Sequence, residues 1–255
     1  MKLATWNVNS LKVRLPQVID WLNINQPDIL CVQETKLSNE NFPESEIAAV
    51  GYQSFFVGQK TYNGVAILSK HQGSDIVTGI PDFVDEQRRV IAATYDDLRV
   101  ISVYVPNGEN ITSEKYNYKL KWLPALTRWL QQELKHYPKV VVLGDFNIAP
   151  EDRDVYDPGA WEGKVLCSQP ERDAFNDLIE LGFTDSFRLF EQPEKSYTWW
   201  DYRMMAFRLN RGLRIDHILL SNELANRCIS CTIDKIMRKQ ERPSDHAPVM
   251  VELSR

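Results

Sequence analysis

The sequence predicts an α/β fold in four layers, with two packed mixed β-sheets flanked by helices. Strand-like apolar runs and helical patterns alternate along the whole length of 255 residues. The runs number about eleven, which is many for one open sheet in a chain of this size, so two packed sheets fit better. No linker, low-complexity stretch or short repeat divides the chain. We therefore expect a single domain over residues 1–255.

Short runs rich in β-branched and aliphatic residues predict the strands. These runs lie at residues 3–8, 28–33, 53–57, 64–69, 89–95, 99–105, 139–146, 197–200, 215–220, 227–233 and 247–253. Asp96 and Asp97 form a two-residue link between two of them, which is typical of a hairpin.

Apolar residues at helical spacing predict three helices. They lie around residues 15–22, 116–134 and 168–182. In the second, Pro124 predicts either a kink or a late start. The third is well delimited: Ser168 and Glu171 form a capping box, Pro170 lies in the first turn, and Gly182 follows the end.

Bulk composition places the chain among ordinary globular proteins, with 43% hydrophobic and 25% charged residues. No apolar run approaches the ~20 residues that a membrane span needs. The N-terminus starts directly on a strand-like run, so we expect no signal peptide and a cytoplasmic location.

The four cysteines do not form a disulfide framework in a chain of this length. Cys228 and Cys231 lie in a strand-like run, where a spacing of three predicts that they face opposite sides of the strand. This arrangement is poor for a shared metal, and we interpret them as core cysteines.

The net charge of −5 argues weakly against a general nucleic-acid binder. The charges are unevenly distributed, however. Residues 203–214 contain four arginines and no acid, and residues 235–242 contain four bases and one acid, whereas acids concentrate in 151–157 and 171–194. A local basic face on an acidic protein is consistent with this pattern.

Residues 140–143 are four consecutive aliphatic residues, as expected for a strand buried on both faces. Gly144 then allows the backbone to turn, and Asp145 and Asn147 follow. Residues two apart in extended backbone point the same way, so this carboxylate and amide are expected to face one spot. Alone, such a motif is more often a turn that ends a strand.

Polar residues flank the ends of most other predicted strands as well. The segments are Asn7 and Asn9, Gln33 to Lys36, Tyr104 to Asn107, Asp145 and Asn147, Arg214 to Asp216, and Ser244 to His246. In a mixed sheet these ends share an edge, so Glu34, Asp216 and Asp245 are expected to join Asp145 at one rim. Four close carboxylates repel unless protons or a cation lie among them. Oxygen ligands without thiolate favour Mg²⁺ or Mn²⁺ over zinc.

These segments together resemble the exonuclease III-type AP endonucleases of the endonuclease/exonuclease/phosphatase superfamily. The motifs are WNVN at 6–9, QETK at 33–36, YVPN at 104–107, GDFN at 144–147, RID at 214–216 and SDHAPV at 244–249. They cover essentially the whole chain. WWDY at 199–202 and NRGLR at 210–214 resemble the DNA-repair branch. The resemblance implies a DNase-like fold.

The resemblance also implies roles for individual residues. Glu34 is expected to be the main metal ligand, helped by Asn9 or Asp245. Asp145, oriented by Asn147, would align or deprotonate the attacking water. His246 would contact the scissile phosphate, held by Asp216 or Asp245. The expected donors to phosphate oxygens are Asn7, Tyr104 and Asn147, and the expected DNA or substrate contacts are Lys36, Asn107, Trp199, Arg203, Leu213 and Ile215.

Three features depart from the pattern. Some relatives carry Asp where this chain has Asn9, which weakens a second metal site. Some carry Arg just after the Tyr104 motif, whereas here residues 108–110 follow, and Arg203 is a candidate to enter DNA instead. The loop at residues 157–161 has no assigned contact. For His217, within a strand-like run, we expect a structural role.

The resemblance implies a Mg²⁺-dependent DNA-repair hydrolase that cuts 5′ to an abasic site and also trims blocked 3′ ends or degrades 3′→5′. The alternative is a 3′-end-processing exonuclease and phosphatase with little abasic-site activity. Two rivals are an inositol- or lipid-phosphate phosphatase and a DNA-binding module without chemistry. The expected partner is double-stranded DNA with abasic sites or blocked 3′ ends, bound by a monomer.

Overall fold

A computed structural model describes residues 1–254 and contains two six-stranded mixed sheets. The strands are β1 (Lys2–Asn7), β2 (Ile29–Gln33), β3 (Gln53–Val57), β4 (Val65–Ser69), β5 (Ser74–Thr78), β6 (Val90–Tyr95), β7 (Leu98–Tyr104), β8 (Lys139–Asp145), β9 (Phe183–Asp185), β10 (Asp216–Ser221), β11 (Cys228–Ile233) and β12 (Val249–Leu253). The first sheet has the order β11-β12-β1-β2-β4-β3 and the second β5-β6-β7-β8-β10-β9.

Six α-helices connect these strands. They are α1 (Leu11–Asn25), α2 (Glu44–Ala48), α3 (Glu114–His136), α4 (Pro158–Trp161), α5 (Gln169–Glu180) and α6 (Asn222–Ala225). Short 3₁₀ turns lie at Asn39–Asn41, Asp152–Asp154, Ser186–Leu189 and Lys235–Lys239. Within residues 1–254, none of the helices has the length and apolar character needed to cross a membrane.

Three buried apolar clusters separate four layers and confirm the predicted sandwich. The central cluster lies between the sheets and includes Ile67 and Val141. Residues of α3 and α5, among them Trp122 and Phe175, cover the outer face of the second sheet. Helices α1 and α2 cover the outer face of the first, where Trp21 is fully buried. Both sheets can form the inner layers of the sandwich, because each buries apolar side chains on its two faces.

The strand predictions fail in three places. Residues 197–200 were expected to form a strand, but Trp199 makes only isolated bridges, to Leu213 and to His246. Strands β5 and β9 were not predicted. The first is an edge strand with mostly exposed side chains, and the second has three residues, so neither carries a clear apolar pattern.

All three predicted helices are present, as α1, α3 and α5, whereas the short helices α2, α4 and α6 were not predicted. Pro124 lies inside the continuous helix α3, which begins near Ser113, so the late start was wrong. The Ser113 side chain accepts a hydrogen bond from the backbone N–H of Tyr116 and caps this helix. The predicted capping box of Ser168 and Glu171 is present at the start of α5.

The role predicted for Gly144 was also wrong. It does not turn the chain, because it lies within β8, paired with Val103 of the parallel neighbour β7. A Cβ atom at this position would lie 1.9 Å from the Val103 carbonyl oxygen. Glycine is therefore required for close approach of the two strands just before the polar rim.

The two cysteines of β11 do not face opposite sides as predicted. A register shift between Cys228 and Ser230 inserts a residue into the pairing with β12. As a result Cys231 is buried in the central cluster and Cys228 packs against the same cluster. Both are free thiols, consistent with core positions.

Strand register brings the predicted polar ends to one rim. In the second sheet Tyr104 pairs with Asp145, and Asp145 pairs with Asp216 on its other side. In the first sheet Asn7 pairs with Gln33 at the end of two parallel strands. The loops that follow β1, β2, β7 and β8, and the loop that precedes β10, therefore leave the sandwich at the same edge.

Candidate active site

Asn7 joins the two sheets at this rim. Its side-chain amide donates hydrogen bonds to Glu34 Oε1 and to Asp145 Oδ2, each at 2.8 Å. Its own Oδ1 accepts from the backbone N–H of Asn9 at 2.9 Å. One amide thus links a carboxylate from each sheet.

Asp145 and His246 form the buried centre of the site, each at most 4% exposed. Burial raises the pKa of the Asp145 carboxyl group, and the neighbouring charge of Asp216 acts in the same direction. Although burial alone would lower the pKa of His246, the carboxylates of Asp216 and Asp145 outweigh it and raise this pKa. The imidazole Nδ1 lies 2.8 Å from Asp216 Oδ2, and Nε2 lies 3.8 Å from Asp145 Oδ2.

Three ligand atoms converge near this centre. Single atoms from Glu34, Asp145 and His246 all lie within 4.8 Å of one another, and no other such group occurs among residues 1–254. The predicted ligands Asn9 and Asp245 lie to one side and bond to each other, Nδ2 to Oδ1, at 2.9 Å. Glu34 therefore belongs to a group that could hold a metal ion, whereas Asn9 and Asp245 form a neighbouring pair.

Lys36 shows that this rim attracts a cation. Its ammonium nitrogen lies 2.9 Å from Glu34 Oε2 and 2.5 Å from Asn9 Oδ1. One oxygen of Asp216, Oδ1, is buried without a hydrogen-bond partner. A rim with carboxylate and amide oxygens and excess negative charge fits a hard divalent cation.

Asn147 and Asn107 extend the site along the second sheet. The Asn107 amide donates to Asn147 Oδ1 at 3.0 Å, and the backbone N–H of Asn147 donates to Asp145 Oδ1 at 2.9 Å. Asn147 has φ of +50°, so Asp145 and Asn147 converge through a left-handed turn and not through the extended backbone that was predicted.

Four residues of this rim have left-handed backbone, a conformation that residues elsewhere in the chain also adopt. Asn9, Glu34, Lys36 and Asn147 all have φ between +43° and +56°. Non-glycine residues adopt this region at a cost of about 1–2 kcal/mol each. Such strain clusters at functional sites, where the surrounding contacts hold side chains in fixed orientations. At this rim the left-handed backbone is consistent with side chains that are held in fixed orientations.

Tyr104 lies half-buried beside Glu34 in a cleft of about 860 Å³. Burial and the Glu34 charge raise the pKa of its phenol well above the ordinary value. Arg89, which no sequence motif indicates, stacks over the ring at 4.6 Å and donates to the Tyr104 carbonyl at 3.1 Å. A basic residue at a strand start is too common to have indicated this contact.

The remaining predicted substrate contacts lie beside the loop that carries His246. The Trp199 indole N–H donates to Asp245 Oδ2 at 3.0 Å. Leu213 and Ile215 are at most 1% exposed, so they do not line an open cavity. Trp199 and Arg203 instead line a pocket of about 270 Å³ with Trp161 from the previously unassigned loop.

A two-sheet sandwich with a carboxylate- and imidazole-lined rim that suits a cation is typical of a metal-dependent hydrolase. The sequence matches the Endonuclease/Exonuclease/phosphatase family over residues 4–246. Exodeoxyribonuclease III of Haemophilus influenzae is 37% identical over 99% of each chain. The chain therefore belongs to this family and is a DNA-repair nuclease of it.

Solved structures agree with this assignment. A 3′ phosphatase from Neisseria, bound to a product DNA hairpin, superposes with a TM-score of 0.98 and is 49% identical over 100% of both chains. An AP endonuclease from Archaeoglobus fulgidus has a TM-score of 0.95 and 41% identity over 99% of both. The DNase-like sandwich predicted from the sequence is thus confirmed.

Proposed function

We propose that this chain is a Mg²⁺-dependent phosphodiesterase and phosphatase that clears blocked 3′ ends of duplex DNA, with incision at abasic sites as a weaker second activity. Manganese prefers the same ligands and is the alternative ion. The predicted monomer and cytoplasmic location remain predictions.

The proposed preference for 3′ ends rests on side-chain packing beside the loop that contains His246. Leu213 and Ile215, the expected walls of an abasic-sugar pocket, pack with Ala149 and Leu166 in one buried cluster. An abasic sugar that swings out of the helix would have to displace these side chains. A terminal 3′-phosphate needs no extrahelical pocket, because it already lies at the end of the strand. The similarity to a 3′ phosphatase supports the same preference.

In the proposed reaction each polar residue of the rim has one task. A bound divalent cation supplies charge neutralisation at the phosphate oxygens, and Glu34 is its principal proposed ligand. In this proposal Asp145, whose pKa burial raises, orients an attacking water and accepts its proton. Asn147 fixes this carboxylate through its backbone N–H and its side-chain amide. His246, with its pKa raised, presents an imidazolium to the phosphate while Asp216 holds its Nδ1.

Hydrogen-bond donors complete the proposed phosphate site. Asn7 and Tyr104 face the same cleft edge as Glu34, and Lys36 and Asn107 lie along it. Preorganised donors of this kind stabilise charge that develops on phosphate oxygens, because they need no reorientation during the reaction.

One assay tests the proposed preference. Duplex oligonucleotides that carry a 3′-phosphate, an internal abasic site or a plain recessed 3′ end are incubated side by side with Mg²⁺. We expect the 3′-phosphate to be released fastest and all activity to disappear with EDTA. Faster incision at the abasic site than release of the 3′-phosphate would contradict the preference and support the activity first expected from the sequence.

Trp199→Ala tests the abasic activity separately. If Trp199 contacts an extrahelical sugar, the ratio of abasic to intact-duplex cleavage should fall while the melting temperature changes little. A much lower melting temperature with an unchanged ratio would assign Trp199 to packing alone. The exposed neighbour Arg208 provides a control through Arg208→Ala.

A further inference from the structure

Lys119 lies on α3 and is completely buried, as is its partner Glu171 on α5. Its ammonium nitrogen lies 2.5 Å from Glu171 Oε1, 2.6 Å from the Asn147 carbonyl oxygen and 3.2 Å from that of Asn107. An ammonium group has three N–H donors, so these three acceptors use all of them.

The two carbonyls belong to residues whose side chains are joined in the active site. The Asn107 amide donates to Asn147 Oδ1 at 3.0 Å, and the Asn147 amide donates to Asp145 Oδ2 at 3.3 Å. The left-handed backbone of Asn147 is rarely adopted by non-glycine residues, so tertiary contacts must hold it. Lys119 supplies the shortest of the side-chain contacts to this backbone.

A contribution to stability does not by itself explain why a lysine is buried at position 119. Burial lowers the pKa of the ammonium group, and the Glu171 carboxylate opposes that effect. The loss of hydration of a buried ion pair often cancels its attraction, so such a pair is weak evidence for a stabilising role. Glu171 has other partners at the start of α5, namely the backbone N–H groups of Leu166 at 3.0 Å and Ser168 at 3.1 Å. Apart from Glu171, Lys119 bonds only to carbonyls of the active-site loops within residues 1–254.

We propose that Lys119 is a positioning residue for the hydrolysis. Its ammonium group fixes the backbone of Asn107 and Asn147 through their carbonyl oxygens. This contact sets the direction in which the Asn147 side-chain amide donates to Asp145. The inference rests on the proposed function of Asp145 and Asn147. A lysine within a helix rich in lysine has no feature in the sequence that would mark it for this task.

The test compares single and double variants. Lys119→Met alone leaves the Glu171 charge buried and unpaired, which would destabilise the fold whatever its role. The double variant Lys119→Met/Glu171→Gln removes both charges and keeps similar shapes. Lys121→Met, an exposed lysine two residues along α3, is the matched control, and Lys119→Arg keeps the charge.

We expect the double variant to recover most of the melting temperature lost in Lys119→Met, while kcat stays about 10–100-fold below wild type. KM should change less than kcat, because neither Lys119 nor Glu171 contacts DNA and Asn107 is the only proposed DNA contact that Lys119 holds. Lys121→Met should match wild type, and Lys119→Arg should recover part of kcat. A double variant with the kcat of wild type would overturn the proposal and make the pair purely structural.

A second readout separates this proposal from the proposed function. The side-chain amide resonance of Asn147 is followed by ¹⁵N NMR without substrate in wild type, the double variant and Lys121→Met. We expect it to shift only in the double variant. An unmoved resonance would overturn the positioning role, whereas a wild-type protein that hydrolyses none of the DNA substrates would overturn the proposed function instead.

Discussion

Asp216 and His217 are buried neighbours on β10, yet their side chains belong to two charged clusters of opposite character. Asp216 holds His246 in the rim cluster, which we define as Glu34, Asp145, Asp216, Asp245 and His246. His217 lies on the other face of the strand, 2.9 Å from an Arg214 guanidinium nitrogen. Alternation along a strand separates the two clusters by a single residue.

The second cluster, here the arginine network, balances its charges. It consists of Asp154, Asp185, Arg188, Arg214 and His217. Arg214 lies 2.6 Å from Asp154 and 2.8 Å from Asp185, and Arg188 also bonds to Asp154. Two guanidinium groups thus meet two carboxylates, and the histidine is uncharged.

The tautomer of His217 follows from its partners. A guanidinium group can only donate, so Nδ1 accepts from Arg214, and Nε2–H donates to the Ile148 carbonyl at 2.8 Å. Burial and the Arg214 charge lower the pKa of His217 to about 4. In the rim cluster the pKa of His246 is raised instead, because carboxylates surround it.

This comparison separates a charge-balanced polar cluster from the rim cluster, which we propose to be functional. Both are largely buried and both contain histidine and aspartate, so burial and residue type do not distinguish them. The rim cluster has four carboxylates against one imidazolium and the partly exposed Lys36, and it leaves an oxygen of Asp216 without a partner. Uncompensated charge is the property expected of a site that binds a cation and phosphate.

Removing charge from the rim cluster should have the largest effect on chemistry. Asp145→Asn preserves shape but removes the proton acceptor, so kcat should fall roughly 10²–10⁴-fold. The free energy of unfolding should stay level or rise, because a buried carboxylate near others is lost. Steady-state kinetics and urea unfolding on one preparation measure both, and near-normal kcat would remove Asp145 from its proposed role.

An aspartate-to-asparagine change in the arginine network should lower stability and leave kcat unchanged. Asp154→Asn leaves Arg214 and Arg188 with one buried carboxylate fewer, which should cost about 3–5 kcal/mol of unfolding free energy. The kcat of the folded fraction should remain near wild type. A large loss of kcat with little loss of stability would show that the two clusters are not separate in function.

Acid should destabilise the arginine network through His217. Its folded pKa of about 4 lies below the unfolded value of 6.5, so the unfolded state binds more protons in that range. Stability is therefore full above pH 6.5 and is lost as pH falls towards 4, by about 3 kcal/mol. His217→Gln, which keeps a donor and an acceptor, should remove this component. Parallel unfolding curves of the two proteins from pH 7 to pH 4 would contradict the assignment.

The smallest expected effect concerns two surface arginines, one without and one with a carboxylate partner. Among residues 1–254 Arg203 has no carboxylate within salt-bridge distance, whereas Arg153 lies 2.6 Å from Glu151. Arg203→Ala should therefore make the log–log salt dependence of DNA binding about one unit shallower. Arg153→Ala should leave the slope unchanged. Equal slopes for wild type and Arg203→Ala at equal affinity would place Arg203 outside the interface.

The convergence of the polar strand ends could be predicted because it follows from local pattern. Asp145, Asp216 and Glu34 each stand at the end of an apolar run, and strands of one sheet share their edges. The arginine network could not be predicted, since Asp154 and Arg214 are 60 residues apart and neither lies in a motif that indicates the pairing.

Other features depend on contacts that local pattern does not encode. The 197–200 segment carries aromatic residues typical of a strand, but only Trp199 pairs, and it does so with two different segments. The tertiary position outweighs β propensity there. Gly144 was assigned a turn because its neighbour across the sheet, whose carbonyl excludes a Cβ atom, is 41 positions earlier in the chain.

The central claim is that the uncompensated rim cluster is a metal site, and metal binding to the free protein tests it most directly. The unfolding free energy of wild type, Asp154→Asn and Glu34→Gln is measured with and without Mg²⁺. At a concentration 100-fold above the dissociation constant, Mg²⁺ should stabilise wild type and Asp154→Asn alike, by about 2.7 kcal/mol. Glu34→Gln should gain much less at the same concentration. Equal stabilisation of Glu34→Gln, or none in wild type, would contradict the account.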